Sequence, residues 1–310
     1  TQPGSCPAIL PAGINQINLI LEALPGLSLS PAITATERAR WEGQLYFMRS
    51  LFYFDMMRVY AYIPGAVVAA QDKGGVPLTT TGISTAEAAL AYKPSRAPID
   101  DIYNLIVADL TAANTRLLNP GLGANLANKA GAQALLSRVS LYRKNYTDAK
   151  RWADSCIAIA GGKMTTTATY VNNWRSATHG ETLFQVVFAT SGENIGVNES
   201  LQTSFTTLVT PGNQATTGGF GDLVPTLTLL TDLGITLQGG MTTGNFGLNH
   251  VIATRSNDVR NLLYEPGTAG RGNIKTECTK YIGKNGFINL DNVPVLRIAE
   301  AYLNRAEAQA

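Results

Sequence analysis

Residues able to do chemistry are sparse in this chain, and their spacing excludes most kinds of catalysis. The two histidines, His179 and His250, lie in Gly/Asn-rich loops with no HExxH or related pattern, which argues against a hydrolytic zinc site. Cys6, Cys156 and Cys278 show no CxxC spacing. They read as three unpaired thiols, with Cys156 on an apolar helix face, or as one bridge of unassigned pairing and a free thiol. No GxSxG elbow occurs, and no cysteine has a histidine nearby in sequence. Thr217-Gly218-Gly219-Phe220-Gly221-Asp222 lacks the pattern of a phosphate cradle. A glycosidase needs two carboxylates about 5–9.5 Å apart across a cleft. Glu193, Glu199, Asp222, Asp232 and Asp258 leave that alternative open. The expectation is a protein without catalysis, metal or cofactor.

Binding chemistry is better represented. Residues 161–292 combine Thr, Asn and Gly with Tyr170, Trp174, Phe220, Phe246, Tyr264, Tyr281 and Phe287. Sugars are recognised by stacking C–H faces on aromatic planes while amide and guanidinium groups bond the hydroxyls. Loops on a rigid frame commonly carry such residues. The candidate ligand contacts are Phe220, Asn245, Phe246, Asn249, Tyr264 and Arg271, each of which could instead be a loop anchor. Trp174, just before a short strand, reads as core. Low charge with many hydroxyl and amide groups suits a neutral ligand.

These residues need a frame, and composition shows one. The chain has 310 residues, 24 Lys+Arg against 22 Asp+Glu and a net charge of +2. Its 15% charged residues fall below the roughly 25% usual for soluble domains. No basic run exists to hold phosphates, so nucleic acid is not the expected partner. The longest uncharged apolar stretch, Ile63 to Ala70, is broken by Pro64 and Gly65, far short of the roughly 20 residues of a membrane span. Residues 1–160 carry 27 Ala and residues 161–292 only 6, whereas 19 of the 30 Gly fall in 161–292. The prediction is a helical core over 14–160 and 293–310, with a loop-rich insert containing short strands over 161–292.

Periodicity supplies the helices. Ile17, Ile20, Leu21 and Leu24 share a face that Pro25-Gly26 ends. Thr36 is the expected N-cap of a helix over 37–60, with Leu45, Met48, Phe52, Met56 and Val59 on one stripe and Tyr46, Tyr53 and Tyr60 on another, both read as core. A helix opens near Pro98, with Asp100 and Asp101 in its first turn and Ile102, Leu105, Ile106, Leu110 and Ala113 inward. Small residues at 130, 134, 149, 153, 156 and 160 make residues 129–143 and 147–160 a close-packed pair around Lys144-Asn145-Tyr146. That pair, ALLSRVSLYRKNYTDAKRWADSCIAI, resembles a tetratricopeptide (TPR) unit.

Five segments in order make the resemblance specific. WEGQLYFMRSLFYFDMMRVYAYIP at 41–64 is similar to the "GEArFLRAlyyFdLvrlyG" helix of SusD/RagB-type proteins. Glu42, Phe47, Arg49, Phe54, Asp55 and Arg58 match it, and Gly75-Val76-Pro77-Leu78 follows. SRAPIDDIYNLIVADLTAA at 95–113, Glu181-Thr182-Leu183-Phe184, Asp258-Val259-Arg260 and VPVLRIAEAYLNRAEAQA at 293–310 resemble further family motifs at similar spacing. The motif charges are expected to pair along or between helices. The resemblance implies a single SusD-like domain, incomplete at both ends. It is mostly α, with a TPR-like helical repeat scaffold and an irregular insert. It further implies a lipid-anchored protein at the cell outer membrane that captures glycan for a SusC-like TonB-dependent transporter without breaking bonds. Alternatives are a peptide-binding RagB-like member and a TPR interaction scaffold without a small ligand. TQPGSCPAIL has no basic and apolar leader regions, so the family's lipidated cysteine is not expected to be Cys6.

Overall fold

Side-chain caps set where most of the helices begin. The computed structural model describes residues 6–31, 33–118, 123–188, 191–193, 196–238, 251–268, 276–284 and 287–310. The helices are α1 (Cys6–Ala23), α2 (Ala35–Tyr60), α3 (Ala86–Ala91), α4 (Ile99–Arg116), α5 (Lys129–Tyr142), α6 (Tyr146–Ala160), α7 (Tyr170–Arg175), α8 (Leu201–Phe205), α9 (Leu227–Asp232) and α10 (Ile298–Gln309). The strands are β1 (Thr182–Val186), β2 (Ile235–Leu237), β3 (Ile252–Arg255), β4 (Tyr264–Pro266), β5 (Thr276–Cys278) and β6 (Val293–Arg297). The chain forms two compact units, Thr1–Gly162 with Leu296–Ala310, and Lys163–Val295.

The first unit is a TPR-like stack in which α1 packs on α2, α2 on α4, α4 on α5, and α5 on α6, with α10 against α5 and α6. Asn128 and Asn145 cap α5 and α6 by accepting from Gly131 N (2.9 Å) and Asp148 N (3.1 Å). Lys144 adopts a left-handed φ of 56° that turns the chain between them. Ala130, Ala134, Ala149, Ala153 and Cys156 are all buried, so the small-residue spacing does set this pair. The cap of α2 is Thr34, two residues before the expected Thr36, and accepts from Glu37 N at 3.1 Å.

Two predicted faces need correction. On α1, Ile14 and Ile17 are buried, as is Leu24 in the turn that follows, whereas Ile20 is 45% exposed and Asn18 is fully buried. On α2 the buried set is Gly43, Phe47, Arg49, Ser50, Leu51, Tyr53, Phe54, Met56 and Met57, while Val59 is 71% exposed. The buried polar positions on these two helices belong to one network. Arg49 Nε and Nη2 donate to Asp109 of α4 (2.7 and 2.9 Å), and Nη1 donates to Asn18 Oδ1 (2.8 Å). Asn18 Nδ2 donates in turn to the carbonyls of Thr79 and Thr81 (3.0 and 3.3 Å). A satisfied polar network therefore occupies positions that hydrophobic periodicity assigns elsewhere. Burial opposes the Arg49 charge, but the Asp109 hydrogen bonds and charge outweigh it, so the pKa of the guanidinium is raised. The other motif charges also pair: Glu42 with Arg116 (2.9 Å), Asp55 with Arg58 (2.6 Å) and Glu300 with Arg138 (2.5 Å).

The second unit is held by short strands and side-chain bonds to backbone. Among the described strands, β2 pairs antiparallel with β3, β4 antiparallel with β5, and β1 pairs with β6. Leu230, Leu233, Ile235 and Leu237 form a small core against which Val224, Leu227, Ile252 and Tyr264 pack. Trp174 is 4% exposed, edge-on to His179 and Tyr281, in agreement with its core assignment. Buried Glu277 accepts from Thr206 Oγ1 (2.9 Å), Thr207 N (2.6 Å) and Thr207 Oγ1 (2.9 Å). The segment 293–310, read from sequence as one helical motif, is extended over β6 before α10 begins.

Candidate functional site

Where α2 ends, the chain builds a small polar-rimmed hollow. Ala61 N still closes the last turn on Met57 O (3.1 Å), but Ala61 is already extended, and Pro64 three residues on cannot continue a helix. The chain then runs over an exposed apolar stretch, with Ile63, Val67 and Val68 at 44%, 40% and 48% exposure, and returns at Gln71–Gly74. Asp72 Oδ1 accepts from Gly74 N at 2.8 Å, and Gly74 takes a φ of 76°, which favours glycine. A Cβ at Gly75 would lie 2.3 Å from Ile102 Cδ1, so any side chain there would have to push the buried Ile102 aside. Arg96 Nη2 donates to the carbonyls of Tyr60 and Gly74, joining both sides. Backbone bonds from Gly75 N to Ala97 O (2.7 Å) and Ala97 N to Val76 O (3.1 Å) complete the brace.

The resulting space is about 300 Å³, lined by Val59, Tyr60, Ala61, Tyr62, Gln71, Lys73, Gly74 and Arg96. Tyr60 is 45% exposed, and its hydroxyl has no partner among the described residues. Tyr62 donates its hydroxyl to Gln71 Oε1 (3.0 Å), which leaves the Gln71 amide hydrogens facing outward. A ring face, an amide, an ammonium and a guanidinium thus share one concave surface. That set can stack a pyranose and bond its hydroxyls, and it lacks any pairing of nucleophile with base. Sequence reasoning missed this group because Tyr60 continues the stripe of Tyr46 and Tyr53. The available signal was its place in the final turn of a helix before Pro64-Gly65, where the stripe leaves the core.

A second space of about 480 Å³ lies between α1, α2 and the segment leading to α3, walled by Pro11, Ile14, Met56, Ile83, Tyr92 and Pro94 among others. Its polar groups already satisfy one another. Tyr53 OH bonds both N and O of Thr79 (2.8 and 2.9 Å), and Asn15 pairs with both N and O of Ile83 (2.7 and 3.0 Å).

Of the six candidate ligand contacts, two are described. Phe220 is half-buried, its amide donating to Thr203 O at 3.2 Å. Tyr264 is half-buried on β4 against the small core of the second unit, and burial pushes its hydroxyl up to about 12. Asn245, Phe246, Asn249 and Arg271 lie outside the described residues. The Asp258 carboxyl is held below its ordinary value by hydrogen bonds from Arg260, which keeps it an ionised ion-pair partner at neutral pH. Among the described residues, Cys156 and Cys278 are free thiols, no cluster of His, Cys, Asp or Glu could hold a metal ion, and no helix is long and apolar enough to cross a membrane.

Residues 10–141, which contain the whole hollow, match a family model for SusD-like proteins described as "Starch-binding associating with outer membrane". No curated protein matches the chain. Among solved structures, it is similar to a Bacteroides vulgatus protein of inferred sugar-binding role, at 22% identity and a TM-score of 0.72, covering 99% of this chain and 61% of that one. A SusD superfamily protein of Bacteroides thetaiotaomicron gives 22% identity and 0.69, with 96% and 60% covered. A laminarin-binding SusD-like protein gives 19% and 0.65, with 97% and 65% covered. The chain thus spans about three-fifths of the length of the structures it matches.

Proposed function

With a SusD/RagB-like family assignment supported by the match over residues 10–141 and by the shared fold, we propose that this chain is the larger part of a glycan-binding protein without catalytic activity. The observation that carries the reading is that the braced hollow at the end of α2, with its exposed Tyr60 ring and its amide and cationic groups, falls inside the segment matching a starch-binding family. Tyr60 offers the stacking face, and Gln71, Lys73 and Arg96 offer donors to sugar oxygens. The insert residues Phe220, Asn245, Phe246, Asn249, Tyr264 and Arg271 form a second proposed set of contacts. The whole protein would work at the outer membrane as a single SusD-like domain, passing its glycan to a SusC-like TonB-dependent transporter.

Affinity electrophoresis and calorimetry against soluble polysaccharides, with a peptide panel beside them, test the binding reading. Tyr60→Ala is expected to weaken glycan binding roughly five-fold, for about 1 kcal/mol of lost stacking. Binding to peptides alone would replace the glycan reading with a peptide-binding one. Release of reducing sugar from any polymer would overturn the non-catalytic assignment.

A further inference from the structure

The hollow has a charge as well as a shape. Of its eight lining residues two are cationic, Lys73 and Arg96, and none is acidic. Of the acidic residues close to it in sequence, Asp55 pairs with Arg58 (2.6 Å), and Asp72 stands at the rim with Oδ1 accepting from Gly74 N (2.8 Å), so two cations face one carboxylate and the surface stays positive. Lys73 is exposed and makes no ion pair among the described residues. Arg96 uses Nη2 for the carbonyls of Tyr60 and Gly74, so Nε and Nη1 retain donors. A neutral sugar would use these cations only as hydrogen-bond donors, and the positive charge of the surface would have no counterpart.

We propose that this hollow takes a negatively charged sugar, its ring against Tyr60 and its anionic group between Lys73 and Arg96. The inference rests on the glycan reading above and narrows it to acidic polysaccharide. Two sources carry that chemistry, the carboxylate of a uronic acid and a sulfate ester. Charge-assisted bonds to either are stronger than bonds to a hydroxyl, and salt weakens them where they are exposed.

The test uses the full chain in calorimetry at low and at 0.5 M salt. The probes are polygalacturonate, the same polymer after carboxyl reduction, a sulfated galactan and its desulfated form. Each acidic polymer that fits is expected to bind about ten-fold tighter than its neutral counterpart at low salt, with the preference shrinking at high salt. The carboxylate and sulfate pairs distinguish the two sources. Lys73→Gln, which keeps a hydrogen-bond donor but removes the charge, should reduce acidic binding about three-fold and neutral binding by clearly less, whereas Tyr60→Ala should weaken both alike. Arg96 stays in place because it ties two backbone segments. Equal affinity within both acidic and neutral pairs, or acidic binding indifferent to Lys73→Gln, overturns the charge inference while the glycan reading stands. Absence of binding to every polymer overturns both.

Discussion

The two units bury polar groups in opposite ways. In the helical unit most backbone groups satisfy one another within helices, and its buried ion pair gathers in one network of Arg49, Asp109 and Asn18. In the insert, short strands leave many amides and carbonyls without ladder partners, and side chains reach in to supply them. Gln202 donates to Leu208 O (2.7 Å) and accepts from Asn289 N (2.7 Å). Asn292 donates to Ala177 O (3.0 Å) and accepts from Phe188 N (3.0 Å), and Asn261 donates to Leu233 O and Ser256 O. The Thr- and Asn-rich composition that looks like ligand chemistry is, at these positions, what holds irregular backbone together.

That contrast can be broken experimentally. The largest effect is expected from Arg49→Leu, which strands Asp109 and Asn18 inside the helical unit and should cost about 3–5 kcal/mol in chemical denaturation. A change below 1 kcal/mol would show that the network is not what joins α1, α2 and α4. Glu277→Ala should cost about 2–3 kcal/mol by leaving Thr206 and Thr207 without an acceptor. Hydrogen exchange should then rise around residues 203–221 with protection of α5 and α6 retained. Equal loss in both regions would mean that the units do not unfold separately.

Alkaline pH comes next. Burial raises Cys156 and Tyr103 to about 12 from ordinary values of 9.0 and 10.0. Between about pH 9 and 12 the unfolded chain releases these protons while the folded chain keeps them, so stability falls as pH rises. By about pH 10 the loss should be roughly 2 kcal/mol, mainly from Cys156. A flat urea midpoint from pH 8 to 10.5 would contradict this, as would rapid labelling of native Cys156 by a thiol reagent. Smallest is Arg151→Ala, whose pair with Asp148 is exposed. It should shift stability by less than about 0.5 kcal/mol, a surface reference for the Arg49 variant.

How far the sequence speaks also differs between the units. In the helical unit the α5–α6 pair was readable nearly to the residue, because small residues at three- and four-residue spacing and capping asparagines are local signals. The buried faces of α1 and α2 were not, since the partners that admit Asn18 and Arg49 lie 31 to 63 residues away. The hollow was invisible for the same reason: Tyr60 acquires its role only when Arg96, 36 positions later, bonds its carbonyl. In the insert, three-residue strands such as β2 and β4 carry no usable period. Phe220 and Tyr264 are legible there by residue type alone, and type does not say how much of a ring the fold leaves exposed.

The brace around the hollow has a thermodynamic and kinetic consequence. Its sides are fixed to each other by Arg96, by Asp72 and by the Gly75–Ala97 backbone bonds. A ligand arriving there meets a surface already in its final form, so little conformational entropy is lost beyond that of the sugar itself. Association should follow a single phase that rises linearly with ligand concentration, and affinity should reside in how slowly the complex comes apart.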